Sequence, residues 1–317
     1  MRILVAGGAG FIGSHLCAGL LGSGHEVVCV DNLITGRLGN VESLAASSGF
    51  TFVPADVCTL ESESLPRVDA IFHLASPASP VGYSRHPLQT ALANSEGTRR
   101  LLELAALHDA RFLFVSTSEV YGDPLVSPQP ETYWGNVNPI GPRACYDESK
   151  RFGEMLVTVY QQLRRVDARI VRIFNTYGPN SDPLDGRVIP NFVTQALRGE
   201  PITVYGDGLQ TRSLCYVSDI VDGLTRALFT AGTSGSVINL GNPDERTVME
   251  LARMVKRLAG SESAIVYAPL ATGDDPRRRC PDITRAREWL GWSPVVPLED
   301  GLVRTIEWMR ARLGGSS

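Results

Sequence analysis

A tyrosine and a lysine stand four positions apart in Tyr146-Asp-Glu-Ser-Lys150, a spacing that puts both side chains on one face of a helix. A free phenol titrates near pH 10 and is a poor proton acceptor at neutrality. A fixed positive charge beside it stabilises the phenolate. Lowering the phenol by about three pH units takes roughly 4 kcal/mol of differential stabilisation. The pair could therefore supply a general base that takes the proton of an alcohol. Such pairs also fall by chance on surface helices, so further chemistry must stand in register with this one. The segment Ser116-Thr-Ser-Glu-Val-Tyr-Gly122 offers it, with hydroxyls at Thr117 and Ser118 and a carboxylate at Glu119 directly after an apolar run.

The apolar pattern gives the elements that must position these groups. Ile3-Leu-Val-Ala6 reads as a strand, followed by Gly7-Gly-Ala-Gly10-Phe-Ile-Gly13 and a helical pattern with Ile12, Leu16, Leu20 and Leu21 on one side. Glu26 to Val30 reads as a second strand, ending in Asp31. The glycines match a variant of the dinucleotide fingerprint: a tight turn, close approach of backbone to a pyrophosphate, and close packing of helix on strand. The helix N-terminus adds free N–H groups and the positive end of a dipole. Asp31 lies eighteen residues after Gly13, near the spacing of the carboxylate that holds a ribose diol and so favours NAD over NADP. Strands over 51–54, 70–75 and 111–116 and a helical stretch over 88–108 continue the alternation. Alternating strands and helices predict an α/β fold with a doubly wound parallel sheet, its ligands beyond the carboxyl ends of the strands. Asp31, Asp56, Ser76 and Thr117 all follow strands in this way and should line one crevice.

Composition is that of a globular protein: 317 residues, 43% hydrophobic and 20% charged, with a net charge of −4. That charge gives no reason to expect nucleic acid, although Arg99-Arg100, Arg164-Arg165 and Arg277 to Arg279 could serve phosphates locally. The six cysteines show no metal-ligand spacing and read as reduced thiols of a cytosolic protein. No metal is expected. The first strand begins at Arg2, leaving no room for a signal peptide, and no apolar run is long enough to span a bilayer. A soluble, cytoplasmic protein without a membrane partner is the expectation.

Taken together, Gly7 to Gly13, His73-Leu-Ala-Ser-Pro-Ala-Ser-Pro80, Ser116 to Asp123, Trp134 to Lys150, Ile173 to Pro179, Asp185 to Val188, Val204 to Arg212, Asn239 to Asn242 and Asp274 to Pro276 resemble the extended short-chain dehydrogenase/reductase proteins that act on nucleotide sugars. Within them the chain is most similar to the UDP-glucuronate decarboxylases. The resemblance implies a Rossmann sheet with a smaller C-terminal substrate-binding lobe, NAD as cofactor and a UDP-sugar as substrate. It also implies a homodimer, built as a four-helix interface from the 88–108 helix and the helix that begins near Tyr146. Read alone, the stripe Phe152, Met155, Leu156, Val159, Tyr160 and Leu163 on that second helix is plain core.

The resemblance further implies that Tyr146, assisted by Lys150, takes the proton of the sugar 4-hydroxyl while Thr117 holds the same oxygen. Oxidation at C4 would leave a β-keto acid that loses CO2, after which the ketone is reduced to the pentose. Ser118 and Glu119 would sit near C5. The corresponding pair in related 4,6-dehydratases resembles Asp-Glu, because an acid must expel the 6-hydroxyl, and 4-epimerases usually carry small residues in place of Glu119. Cofactor contacts would come from Gly7, Gly10, Phe11, Ile12, Gly13, Asp31, Asn32, Thr35, Gly36, Asp56, Val57, Leu74, Ala75 and Ser76, together with Tyr146 and Lys150. Substrate contacts would come from Pro77, Tyr83, Glu119, Asn175, Val188, Tyr205, Gln210, Arg212 and Arg279.

Arg212 and Arg279 are the candidates to meet negative charge, since the guanidinium fork matches phosphate or carboxylate. The run Arg277-Arg-Arg279 leaves their register open, and Cys280 departs from the basic residue expected there. A strand over 237–241 reads as returning to the main sheet, so the predicted domains are discontinuous: 1–173 plus about 211–243 for the dinucleotide, about 174–210 plus 244–317 for the nucleotide sugar. Beyond this come a helix over 188–198, a short strand over 201–205, amphipathic helices over 247–259 and 298–313, and a frayed tail from Gly314. Two other functions stay open: a nucleotide-sugar 4-epimerase or 4,6-dehydratase using the same Tyr, Lys and NAD, and a nucleotide sensor without turnover. Tyr146, Lys150, Thr117 and Glu119 speak against the sensor, which needs no base.

Overall fold

Alternating burial along the first strand fixes the layering. In β1 (Arg2–Ala6), Ile3 and Val5 face one apolar cluster with Leu16, Leu20, Leu224 and Trp292, while Leu4 and Ala6 face another with Val28, Leu101, Leu102 and Phe114. A strand buried on both faces belongs at the centre of a parallel sheet. Each such side chain contributes about 1.5–3 kcal/mol by leaving water. The computed structural model describes residues 1–61, 65–269 and 277–314; the Asp274-Asp-Pro276 motif and the tail after Gly314 lie outside them.

The sheet joins β1 to β2 (Glu26–Asp31), β3 (Phe50–Pro54), β4 (Ala70–His73), β5 (Arg111–Thr117), β6 (Ala168–Ile173) and the late strand β11 (Val237–Leu240). Its order is β11-β6-β5-β4-β1-β2-β3, and every pairing is parallel. The chain winds outward from β1 in both directions, which opens a crevice between β1 and β4 where ligands bind in such sheets. This is the expected doubly wound fold. β4 ends at His73, two residues short of the expected strand, so Leu74, Ala75 and Ser76 belong to the loop above the sheet.

Helices α1 (Phe11–Gly22), α2 (Pro80–Arg85), α3 (Pro87–Leu92), α4 (Thr98–His108), α5 (Ala144–Arg164) and α7 (Val217–Phe229) flank or rim the sheet. The single helix expected over 88–108 is interrupted: a π-helical segment at Ala93–Gly97 joins α3 to α4. Smaller strands pair as β7 (Thr176–Tyr177) with β10 (Cys215–Tyr216), β8 (Ile202–Tyr205) with β13 (Ile265–Ala268), and β9 (Thr211–Ser213) with β12 (Glu245–Thr247).

With α6 (Val188–Arg198), α8 (Val248–Ala259), α9 (Thr284–Leu290) and α10 (Leu298–Gly314) they complete the chain. Ile189, Phe192, Leu251, Val255, Leu302 and Met309 from α6, α8 and α10 share a third core. Local chemistry sets α8 sharply. Thr247 Oγ1 accepts from the Glu250 N–H at 3.1 Å while the Glu250 carboxylate accepts from the Thr247 N–H at 2.8 Å, a reciprocal cap whose loss costs about 1 kcal/mol.

The α5 stripe is not plain core. Leu156 and Tyr160 pack on the sheet, but Phe152, Met155 and Leu163 face solvent, as do Leu88, Leu92 and Leu107 on α3 and α4.

Candidate functional site

The residues singled out after β1, β2, β3, β4 and β5 all lie at the carboxyl ends of adjacent strands. Gly7 has φ +81°, and a Cβ there would lie 2.7 Å from the Ala75 nitrogen. A Cβ on Gly13 would fall on the Gly7 carbonyl oxygen. Only glycine lets this turn and α1 lie so close. Gly10 caps α1 without a side chain, no acid occupies the first turn, and Phe11 and Ile12 open the helix.

Asp31 accepts from the Ala9 N–H at 3.0 Å and the Leu33 N–H at 2.8 Å, and Gly36 lies against its carboxylate. Burial raises its pKa, opposed by those N–H groups. Asn32 donates to Asp56 at 2.9 Å, and Thr35 lies beside Gly82. Burial also pushes Asp56 upward, but bonds from Cys58 and Asn32 outweigh it and the net shift is downward. Val57 is buried beside Asp56, and Leu74 continues the β4 loop through its N–H to the Ala6 carbonyl.

Tyr146 and Lys150 are both buried on α5. Tyr146 stacks on Tyr83, centroids 5.3 Å apart and planes 12° apart, and bonds Thr117 at the end of β5. Lys150 donates to the Val115 carbonyl at 2.8 Å, 4.8 Å from the Phe114 ring centre and 6.0 Å from that of Tyr146. The expected direction of the phenol's titration is reversed. Burial pushes Tyr146 up to about 12, with the Thr117 bond and the Arg187 charge pulling the other way. Burial takes Lys150 down to about 7. Desolvation by burial is the leading cause at both groups, opposed at the phenol first by its Thr117 bond.

Glu119 is gripped from two sides. Arg143 Nη2 and Arg279 Nη2, the latter at 2.9 Å, donate to the same oxygen, Oε2, and Arg279 Nη1 bonds the Ser118 carbonyl. Along the three-arginine run, Arg279 is buried here, Arg278 pairs with Glu245 at the surface, and the Arg277 N–H meets Asp123.

The remaining predicted residues cluster around the smaller strands. Asn175 accepts from the Cys215 N–H at 2.9 Å, Val188 opens α6, and the Gln210 amide donates to the Tyr205 carbonyl at 2.7 Å. Arg212, buried on β9, donates to Thr211. Pro77 is buried beside Gly82.

The model of the NAD-dependent epimerase/dehydratase family matches residues 3–241. The chain belongs to the NAD-dependent epimerase/dehydratase family. Within the family it is 52% identical, over 98% of its length and 73% of the relative's, to UDP-glucuronic acid decarboxylase 1 of Xenopus tropicalis. It is 51% identical, over 99% of its length and 91% of the relative's, to UDP-glucuronic acid decarboxylase 5 of Arabidopsis thaliana. Among solved structures it resembles a UDP-glucose 4-epimerase from Thermotoga maritima, with a TM-score of 0.88, 34% identity and coverage of 99% and 100% of the two chains. It also resembles the UDP-glucuronic acid 4-epimerase from Bacillus cereus in complex with UDP-glucuronic acid and NAD, with a TM-score of 0.89, 31% identity and coverage of 98% and 100%.

The family's cofactor fits the residues present. The bare α1 N-terminus suits a pyrophosphate, and Asp31 suits a ribose diol. Several residues around the candidate site carry little signal in the sequence. Arg143 sits in the quoted Trp134 to Lys150 block but has no spacing signature. Gln129, fully buried, accepts from the Cys280 and Asp282 N–H groups and donates its own N–H to the Cys280 carbonyl, pinning the segment that carries Arg279. Asn94, in the π segment, donates to Ser76 at 3.1 Å and Ser149 at 3.0 Å, tying the β4 loop to α5. Arg187 sits close enough to Tyr146 and Tyr83 to pull both phenols down. Among these, only the turn-rich context of Asp185-Gly-Arg187 carried any hint.

Proposed function

We propose that this enzyme decarboxylates UDP-glucuronate to UDP-xylose with NAD retained between turnovers. The observation that carries the reading is the buried ion pair that Arg279 makes with Glu119, two residues after Thr117, which bonds the candidate base. The bond from Arg279 to the Ser118 carbonyl, next to Thr117, supports a carboxylate-binding role close to the C4 hydroxyl. The 51–52% identity to UDP-glucuronic acid decarboxylases supports it. When bound, NAD supplies reversible hydride exchange at C4 of the sugar.

Gly7 to Gly13 and Asp31 would hold the dinucleotide, with Asn32 to Gly36, Asp56, Val57 and Leu74 to Ser76 around it. Tyr146 takes the 4-hydroxyl proton at its phenol oxygen while Thr117 fixes that oxygen. Lys150, 6.0 Å from the Tyr146 ring centre, assists the base. With C4 a ketone, the C5 carboxylate leaves as CO2 and the electron pair is held on the C4 oxygen. Arg279 meets the carboxylate, and Ser118 and Glu119 manage the proton that returns to C5. A serine at 118 cannot expel a 6-hydroxyl as a paired acid would, which sets this site apart from a 4,6-dehydratase. Asn175, Val188, Tyr205, Gln210 and Arg212 would bind the UDP moiety, with Pro77 and Tyr83 lining the sugar.

The division into 1–173 plus about 211–243 and about 174–210 plus 244–317 is proposed on the same footing. Exposed Leu88, Leu92, Phe152 and Met155 support a homodimer through α3, α4 and α5. Free cysteines and the lack of any helix among the described residues long and apolar enough to cross a membrane support a cytoplasmic setting.

Incubation of the purified protein with UDP-glucuronate and NAD+, followed by mass spectrometry and NMR of the sugar nucleotide, tests the function. The expected product is lighter by one CO2 and carries a pentose. A product of unchanged mass with inverted C4, as a 4-epimerase would give, overturns the reading.

A further inference from the structure

Three successive residues at the end of β5 are each tied to α5. The Val115 carbonyl accepts from Lys150 at 2.8 Å, Ser116 Oγ donates to Glu154 at 2.6 Å, and Thr117 bonds Tyr146. The outer two ties involve the base, its lysine and the hydroxyl that shares its work. The middle one has no part in the proton transfer, yet its anchorage reaches far beyond α5.

Glu154 lies one helical turn beyond Lys150, on the same face of α5. Its carboxylate takes Arg172 in a two-point pair, with Nε donating to Oε1 at 2.9 Å and Nη2 to Oε2 at 2.7 Å. Both side chains are shielded, 12% exposed for Glu154 and 13% for Arg172. Arg172 stands on β6 in register with Ser116 on β5 and with Asn239 on β11. A polar row therefore crosses three neighbouring strands. Arg172 Nη1 donates to the Tyr121 hydroxyl at 3.0 Å, which donates in turn to Asn239 Oδ1 at 2.9 Å. Asn239 Nδ2 then donates to the carbonyls of Gln129 at 2.9 Å and Asp282 at 3.2 Å.

Such a row is weak evidence for stability, because packed apolar side chains often replace a buried ion pair at little cost. What a satisfied polar network supplies is one fixed geometry. Here that geometry includes the distance between α5 and the last residues of β5. Burial lowers the pKa of Lys150, and the Glu154 charge opposes it, so the same carboxylate favours the ammonium.

We propose that Glu154 is a positioning residue: anchored by Arg172, it holds Ser116, and with it the neighbouring Thr117, at the distance from Tyr146 that lets both groups meet one sugar oxygen. This inference rests on the decarboxylase reading, in which Tyr146 and Thr117 share the 4-hydroxyl. Without the tie, α5 and β5 keep their apolar packing but lose the register of these two side chains.

The test combines steady-state kinetics with UDP-glucuronate and NAD+, urea denaturation, and titration with NAD and with UDP, all on the full-length protein. The Ser116→Ala/Glu154→Leu/Arg172→Met triple variant removes the tie and leaves neither charge without its partner. It should unfold near the wild-type urea midpoint and bind NAD and UDP as the wild type does. Its kcat should fall about a hundredfold at unchanged KM, the scale of a misplacement of about an ångström. Ser116→Ala cuts only the link to β5 and should lower kcat about tenfold at unchanged KM. Glu154→Gln keeps an acceptor for Ser116 and should lie between the wild type and the triple variant.

A wild-type kcat in the triple variant or in Ser116→Ala overturns the inference, as does a loss of rate matched by weaker NAD or UDP binding. The decarboxylase reading then still stands on the wild-type product. If the triple variant does not fold, Ser116→Ala decides. A wild-type protein that forms no UDP-xylose overturns the reading and the inference together.

Discussion

At the dinucleotide end of the crevice, Gly7, Gly13 and Asp31 come from one strand–helix–strand unit and are fixed by backbone: a positive φ, a helix packed on a turn, and N–H groups of Ala9 and Leu33 on one carboxylate. At the other end, Glu119 meets Arg143 from 24 residues away and Arg279 from 160 residues away, through side-chain charge alone. The first arrangement is local and tolerates little change of shape. The second is assembled by the tertiary fold and tolerates little change of charge. Substitutions at the two ends should therefore fail in different ways: loss of cofactor choice at one, loss of substrate choice at the other.

The largest effect is expected where the ends meet. Tyr146→Phe should cut kcat by about 10²- to 10⁴-fold, the usual contribution of a positioned base, with NAD and UDP affinities retained. Steady-state kinetics beside titration decide it, and a near-native rate would remove Tyr146 from the proton transfer.

Next, Arg279→Ala should weaken UDP-glucuronate roughly ten- to hundredfold and UDP-xylose much less. A uniform loss would make Arg279 a phosphate clamp and erase the contrast between the two ends.

Asp31→Ala should act on the cofactor alone, lowering the NAD-to-NADP affinity ratio by about tenfold, the equivalent of one hydrogen bond to a diol. Sugar-nucleotide binding should not move. An unchanged ratio in titrations with both cofactors would detach Asp31 from the ribose.

A separate effect is on stability. Because burial takes Lys150 down to about 7, between that pH and the ordinary lysine range the unfolded chain binds a proton there that the folded chain does not. The unfavourable contribution of this site is therefore full below pH 7 and is relieved as pH rises. Lys150→Met should flatten that rise. Urea denaturation at about pH 6 and about pH 9, below the range where Tyr146 titrates, would expose it. Parallel curves for the two proteins would mean that Lys150 is no more desolvated than a surface lysine.

What could be read in advance follows the same divide. The seven-stranded sheet was legible because its strands are short apolar runs bounded by turn residues. The glycine loop with Asp31 was legible because their roles depend on spacing along one unit. Tyr146, Lys150, Thr117 and Glu119 were legible by type and by family resemblance. Arg143, Gln129 and Asn94 were not, since each works through a partner distant in sequence and none breaks a local pattern. The titration of Tyr146 was misjudged for a related reason. Spacing along a helix puts Lys150 nearby, but burial of the phenol by the tertiary fold is the larger cause.

The π-helical turn at Ala93–Gly97 has a consequence for how this chain can lengthen or shorten. It holds one more residue than an α-helical turn would, and each residue of a regular helix advances about 100° around the axis. Asn94 on its upstream side faces Ser76 and Ser149, while Thr98 on its downstream side meets His73 at 3.0 Å and Leu101, Leu102 and Ala105 enter the core. Removing any one residue between 93 and 97 would restore a smoother helix yet turn one of these faces to the wrong side. A single-residue deletion here, conservative by helical propensity, should thus be among the least tolerated anywhere outside the catalytic loops.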